Sequence, residues 1–330
     1  MAPSLIAFII GALISLCFSW VLVTRLERVG ERVGLSEALL GVIAALAADA
    51  PEITSSISAI SQHQREIGSG VVIGSNLFNL AALLGLGAVV SGFIALHRRV
   101  VIFGGFVAIW VALCCLATTL RAIPVSVGLG ISLFVLFCYF VVLGLRQEKI
   151  WRLPLGRPVT KWLADAVDEE ALELVTAIRP KRGRPIDVAT ALGSLVVVAL
   201  SSVAMERGAS SLGHHFHVSD AVIGGIVLAA VTSLPNAVSA IYLAKRGRGA
   251  AAFSTALNSN NLNVVVGLLV PAVIVGLAAP SFAGNFTSIA YVVLTGLVLV
   301  FAFVKSGLTR KAGWVVVAGY AVFVACILAS

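Results

Sequence analysis

Charged residues are scarce in this sequence, only 12% of 330, with 15 acidic against 23 basic. Together with 59% hydrophobic residues and a mean hydropathy of +1.06, that scarcity excludes a soluble domain of this length. Cysteine is rare as well. Cys17, Cys114, Cys115, Cys138 and Cys326 all fall inside apolar runs, where they act as small hydrophobes and imply no disulfide framework. The Asp-x-Asp-x-Asp-Gly spacing of a calcium loop is missing, which argues against an ion sensor in the central segment. No Cys or acidic companion accompanies His214, His215 and His217, so that cluster reads as a solvated loop rather than a zinc site.

What abounds instead is apolar runs of about 20 residues, the length a helix needs to cross hydrocarbon. They fall at roughly 4–24, 35–62, 67–96, 99–119, 125–145, 187–205, 218–243, 250–278, 286–304 and 312–329. The first has no basic n-region and no clean small-x-small exit, and is therefore read as a helix rather than a cleaved signal. The net charge of +8 does not point to nucleic acid, because the basic residues concentrate in alternate loops, 20 against 3. The rich loops hold Arg25, Arg28 and Arg32; Arg98 and Arg99; the central segment; Lys245, Arg246 and Arg248; and Lys305, Arg310 and Lys311. That positive-inside pattern predicts both termini outside and the central loop in the cytoplasm. The expected location is an integral position in a prokaryotic plasma (inner) membrane. The partners expected are the lipid bilayer and inorganic cations, with no nucleic acid.

The two halves share a pattern at a fixed, gapless offset. Gly41, Ala45, Pro51, Ser55 and Ile57 match Gly225, Ala229, Pro235, Ser239 and Ile241. Ser75, Asn76 and Asn79 match Ser259, Asn260 and Asn263; Ala88, Val89 and Gly92 match Ala272, Val273 and Gly276. Agreement at Pro, Ser and Asn in one register is hard to obtain by chance. With five helices per half, the second half must insert upside down, as in transporters whose site lies at the repeat interface. The expected fold is an all-α polytopic membrane protein of ten transmembrane helices in two inverted-topology five-helix repeats, 1–145 and 187–330. A cytoplasmic linker at 146–186 joins them. In it, Val159 to Ile178 can form an amphipathic helix, with Trp162, Leu163, Ala166, Leu174 and Ile178 near one face and Asp165, Asp168, Glu169 and Glu173 on the other.

Only two acidic residues, Asp49 and Glu52, lie well within an apolar run; the other thirteen fall in loops or at helix ends. A carboxylate in hydrocarbon costs at least about 2.5–3.5 kcal/mol, so such residues usually carry function. Three apart, they project from neighbouring positions on one helix face. Pro51 between them removes a backbone donor and frees a carbonyl one turn earlier. Two carboxylates, a freed carbonyl and nearby hydroxyls make an all-oxygen site for a hard cation such as calcium or sodium, with Asp49 and Glu52 as the metal-binding acids. The second copy, Ala-Val-Thr-Ser-Leu-Pro-Asn, keeps the proline and offers Thr232, Ser233 and Asn236. Downstream, Ser-Asn-x-x-Asn occurs in both halves.

These segments resemble the α-repeats of the sodium/calcium exchanger family, within the larger cation/calcium antiporter superfamily, where Gly-Thr-Ser-Leu-Pro-Glu precedes Gly-Ser-Asn-x-x-Asn or Asp once per half. The resemblance implies a secondary cation antiporter, not an enzyme, that exchanges Ca2+ for Na+ or H+ by alternating access, with transported ions and no cofactor. It puts Glu52 and Asn236 at the two glutamate positions and Ser75, Asn79, Ser259 and Asn263 at the downstream ligand positions. Thr232 and Ser233 match the hydroxyl pair, and Ala45 and Ala229 fall where backbone carbonyls are used. The departures lie in charge placement. Asn236 replaces the second glutamate, and the first hydroxyl pair has become Ala48 and Asp49. Two carboxylates remain, both in repeat 1, and two close desolvated carboxylates tend to share a proton. Alternative readings keep the fold but carry a monovalent cation or another solute, or do not transport. An intramembrane aspartyl protease needs acids on two helices, whereas Asp49 and Glu52 share one.

Overall fold

The computed structural model describes residues 2–33, 45–145, 147–175, 183–245 and 249–329. In the first half, α1 is Ala2–Val33, α2 is Ala50–Ser61, α3 is Arg65–Ser91, α4 is Arg98–Thr119 and α5 is Val125–Gly144. Two linker helices follow, α6 (Gln147–Ile150) and α7 (Arg157–Val175). The second half holds α8 (Pro185–His215), α9 (220–245), α10 (249–275), α11 (Phe282–Val304) and α12 (Arg310–Leu328).

The register seen in the sequence extends through the backbone. α3 starts at Arg65 and α10 at Gly249; α4 starts at Arg98 and α11 at Phe282, all the same 184 residues apart that separate Asn76 from Asn260. Each of α3 and α10 widens into one π-helical stretch within one residue of the same register, Leu80–Leu86 and Asn263–Leu269. Such widenings favour functional positions, because the extra residue re-aims side chains. Gly92 and Gly276 then end the two helices with φ of 86° and 90°, a conformation that a side chain would strain.

The equivalent helices α1 and α8 pack side by side and run antiparallel. Ser4 bonds Ser211 at 3.0 Å, Ser15 bonds Ser202 at 2.8 Å, and Arg25 bonds Asp187 at 2.6 Å. Opposite direction in equivalent helices is the inverted topology expected. Small residues allow the close crossing: a Cβ on Gly11 would lie 2.7 Å from the Ser201 carbonyl oxygen, and one on Gly208 2.6 Å from that of Ser4.

Eight helices among the described residues are long and apolar enough to span a membrane: α1, α3, α4, α5, α8, α10, α11 and α12. The expected second span corresponds to Ala45–Ala48 and α2; residues 34–44 lie outside the described ones. The expected seventh corresponds to α9, whose apolar stretch is the shorter Asp220–Leu234. Two boundaries differ from expectation. α1 runs on to Val33, and α8 runs past residue 205 to His215, taking Glu206 and Arg207 into the helix. Phe93–Ala95 and Gly307–Thr309 also form a two-stranded antiparallel ladder, a small departure from all-α that ties the loop after α3 to the loop after α11.

Burial is inverted relative to a soluble protein. Phe134, Phe137, Leu200 and Ile274 are exposed, while Asp49, Glu52, Asn76, Asn79, Ser259 and Asn263 are buried. Lipid-facing apolar side chains around a polar interior satisfy the backbone and side chains where no water is at hand. Linker helix α7 docks on α4: Arg99 meets Asp165 at 3.2 Å and Glu169 at 2.5 Å, and Trp162 packs edge-on against Phe103. Within the expected Val159–Ile178 helix, residues 176–178 lie outside the described ones.

Candidate cation site at the repeat interface

Pro51 shapes the first half of the site. It has no N–H, so the Ala47 carbonyl lacks its usual helical donor, and the Ser19 hydroxyl of α1 reaches that carbonyl and the next, Ala48, at 3.4 Å each. Asp49 sits at the resulting turn, just ahead of α2, with Glu52 in the first turn beyond it. Both carboxyls are fully buried.

The contacts across the interface obey the pseudo-twofold axis. Asp49 and Ser233 are equivalent, as are Glu52 and Asn236. Asn236 Nδ2 donates to Asp49 Oδ1 at 2.8 Å, and the Ser233 hydroxyl donates to Glu52 Oε1 at 3.0 Å. The same cross-repeat pairing is thus made twice, with the acid on opposite members of the pair. Ser259 adds a second donor to Asp49 Oδ1 at 2.6 Å. Closer to the axis, Asn76 Nδ2 donates to the Asn260 carbonyl at 3.0 Å and Asn260 Nδ2 to the Asn76 carbonyl at 3.1 Å. A further mated pair links Asn79 Nδ2 to Asn260 Oδ1 at 3.1 Å and Asn263 Nδ2 to Asn76 Oδ1 at 3.3 Å.

Asp49, Glu52, Asn79, Ser233, Asn236, Ser259 and Asn263 therefore line one buried polar site on α2 and the turn before it, α3, α9 and α10. Asn79 Nδ2 donates to Ser259 Oγ at 3.4 Å and so ties the asparagines to Asp49, while Glu52 and Ser233 form a separate bonded pair. Four of its oxygens, Asp49 Oδ2, Glu52 Oε2, Asn79 Oδ1 and Asn263 Oδ1, are buried without a hydrogen-bond partner. Leaving such acceptors unmade is costly, and carboxylate and amide oxygens together are the donor set of a hard cation. The other predicted residues turn into their own helices. Ser75 donates to the Val72 carbonyl at 2.9 Å, and Thr232 to those of Leu228 and Ala229 at 2.9 and 3.3 Å. The Ala45 carbonyl accepts the Asp49 amide at 2.9 Å. Sequence reasoning gave no role to Asn76, Asn260 or Ser19. The first two stood within the repeated Ser-Asn-x-x-Asn motif, a signal that could have found them. Ser19 had none beyond being polar in an apolar run. No group of three His, Cys, Asp or Glu gathers among the described residues, and the described His214, His215 and His217 are exposed.

An inverted repeat enclosing a buried polar site is the architecture of a polytopic membrane protein with its site at the repeat interface. Residues 3–146 and 186–329 match the family described as "Sodium/calcium exchanger protein", and the chain belongs to that family. Among curated relatives, "Sodium/potassium/calcium exchanger 1" of Mus musculus is 34% identical over 94 residues, 28% of this chain. That stretch is only 8% of the exchanger's own length. "Inner membrane protein YrbG" of Escherichia coli (strain K12) is 24% identical over 255 residues, covering 73% of this chain and 70% of that one. The fold is shared with the crystal structure of the H+/Ca2+ exchanger CAX, at a TM-score of 0.73 and 14% identity over 99% of this chain and 86% of that one. It is shared too with the sodium-calcium exchanger NCX_Mj, at 0.59 and 20% identity over 99% of both chains.

Proposed function

We propose that the protein is a secondary antiporter that exchanges Ca2+ for Na+ or H+ by alternating access, with both termini outside and the central segment in the cytoplasm of a prokaryotic plasma membrane. The observation that carries this reading is the pair of buried carboxylates, each held by a donor from the opposite repeat. A bound divalent ion gains two compensating charges from the first repeat there, beside polar groups of the second, at the interface that alternating access rearranges. The names of the relatives, exchangers of calcium against sodium or protons and a bacterial inner-membrane protein, support the cargo and the location. The repeats themselves divide as 1–145 and 187–330.

Asp49 bears on the coupling ion. A family member with hydroxyls at that place offers neutral oxygens to sodium, whereas this chain offers a carboxylate three residues from another. Adjacent acids in a dry site hold protons as a pair, which favours exchange of calcium for protons. Reconstitution into liposomes with calcium, sodium and pH gradients imposed separately tests both levels. Calcium uptake driven by an outward proton gradient supports the reading. The absence of calcium flux under every gradient rejects it.

A further inference from the structure

We propose that Glu206 is a proton-relay site, accepting a proton at Oε1 on the way between the Gln62–Arg207 end of the bundle and the Asp49–Glu52 pair. The inference rests on the exchanger reading above. Glu206 lies two-thirds of the way along α8, is wholly buried, and belongs to no motif shared by the halves. Its twofold mate is Leu22, just as the mate of Asp49 is Ser233, so both extra carboxylates break the symmetry.

The surroundings are built. Ser58 of α2 and Gln62, the residue just past its end, both donate to Glu206 Oε2, at 2.9 and 3.1 Å. Gln62 is oriented by Arg207, whose Nε donates to Gln62 Oε1 at 3.1 Å. Both donors thus go to one oxygen, and Oε1 is left buried with no partner. A metal ion needs several oxygens around it, and no other acid or His joins Glu206 in a metal-binding group among the described residues. A proton needs only one oxygen. Arg207 and Gln62 are exposed, which puts the far end of this seam at solvent. In the other direction Ser55 reaches the Ser202 carbonyl at 3.5 Å, and Glu52 lies six residues before Ser58, about 9 Å along the helix axis.

Among the described residues few other charges face Glu206. Its own helix contributes Arg207, and α2 and the turn before it contribute Glu52 and Asp49 further along the seam. The adjoining part of α1 presents Ser4, Phe8, Gly11, Ala12 and Ser15, and the π-helical stretch Ile223–Leu228 is apolar. The step is simple in its balance: the carboxylate takes up one proton to become the acid and later gives the same proton to the next base, with only O–H bonds formed and broken.

Difference infrared spectroscopy of the full chain in lipid, between about pH 5 and pH 9, reads this proton without needing transport. A carboxylic-acid band that titrates in the unsubstituted protein is expected to vanish in Glu206→Gln, to shift but persist in Glu206→Asp, and to survive in Asp49→Asn with Glu52→Gln. In liposomes, Glu206→Gln is expected to lose most of the pH dependence of calcium flux while calcium binding by titration calorimetry stays unchanged. No titrating band lost in Glu206→Gln, or unaltered pH dependence of its flux, overturns the relay. Failure of the unsubstituted protein to move calcium rejects the exchanger reading instead, and the infrared result still decides whether Glu206 takes a proton.

Discussion

Replacing Asp49 by Asn changes charge and almost nothing else. An asparagine Oδ1 can still accept from Asn236 and Ser259, now at 2.8 and 2.6 Å from the carboxylate oxygen, so the cluster and the fold persist. What disappears is half of the formal charge facing a divalent ion. Breaking a buried charge pairing by removing one partner typically costs about 3–5 kcal/mol. At roughly 1.4 kcal/mol per decade, that is about two to four powers of ten in calcium affinity. Glu52→Gln should cost a similar amount. The twofold geometry adds a rescue: Asp49→Ser with Asn236→Glu recreates, on the other side of the axis, the pair that Ser233 and Glu52 already make at 3.0 Å. Calcium titration calorimetry on these variants, and on Asp49→Ser and Asn236→Glu singly, separates the cases. Unsubstituted affinity in Asp49→Asn would refute the argument. Loss in Asp49→Ser with recovery in the double variant is the expected outcome.

Because protons and calcium compete for the same two carboxylates, calcium affinity should fall as the medium is acidified, with proton release on binding; calorimetry in buffers of different ionisation enthalpy counts those protons, and a count of zero contradicts the scheme. Gly74→Ala would put a Cβ 2.2 Å from the Gly225 carbonyl oxygen, backbone against backbone, and should destabilise by about 1–3 kcal/mol, whereas Gly130→Ala, with nothing within 4 Å, should be silent in the same thermal unfolding assay. Asn76→Ala and Asn260→Ala should each cost about 1–3 kcal/mol, because each removes two buried hydrogen bonds between the repeats. Because each side chain donates to the other's backbone carbonyl, which an alanine keeps, the two variants break different bonds, and the double variant should cost about the sum of the singles; a double variant no worse than either single would count against the reciprocal pair.

The fold was legible because membrane insertion writes itself into composition and because the chain carries its pattern twice. Helix starts at Arg65 and Gly249, and the ends at Gly92 and Gly276, follow from a register visible in Pro, Ser, Asn and Gly alone. The π-helical stretches were not legible, since an extra residue per turn leaves no mark on apolar periodicity. The end of α8 was misplaced for a physical reason: Glu206 followed by Arg207 looks like a helix reaching water. Glu206 instead stays buried by bonding Ser58 and Gln62, partners on another helix that no local pattern announces. In the site, residue identity showed which side chains are polar at depth. It could not show that Asp49 would face Asn236 while Ser233 faces Glu52, because that pairing depends on how the inverted halves meet.

The most direct measurement is calcium's own position. Crystals of the full chain grown in calcium, with anomalous scattering recorded, should show one strong peak at the repeat interface. It should lie about 2.3–2.6 Å from carboxylate oxygens of both Asp49 and Glu52, and should be lost in Asp49→Asn. A calcium peak elsewhere in the bundle, with Asp49 and Glu52 left bonded only to Asn236, Ser259 and Ser233, would contradict the account.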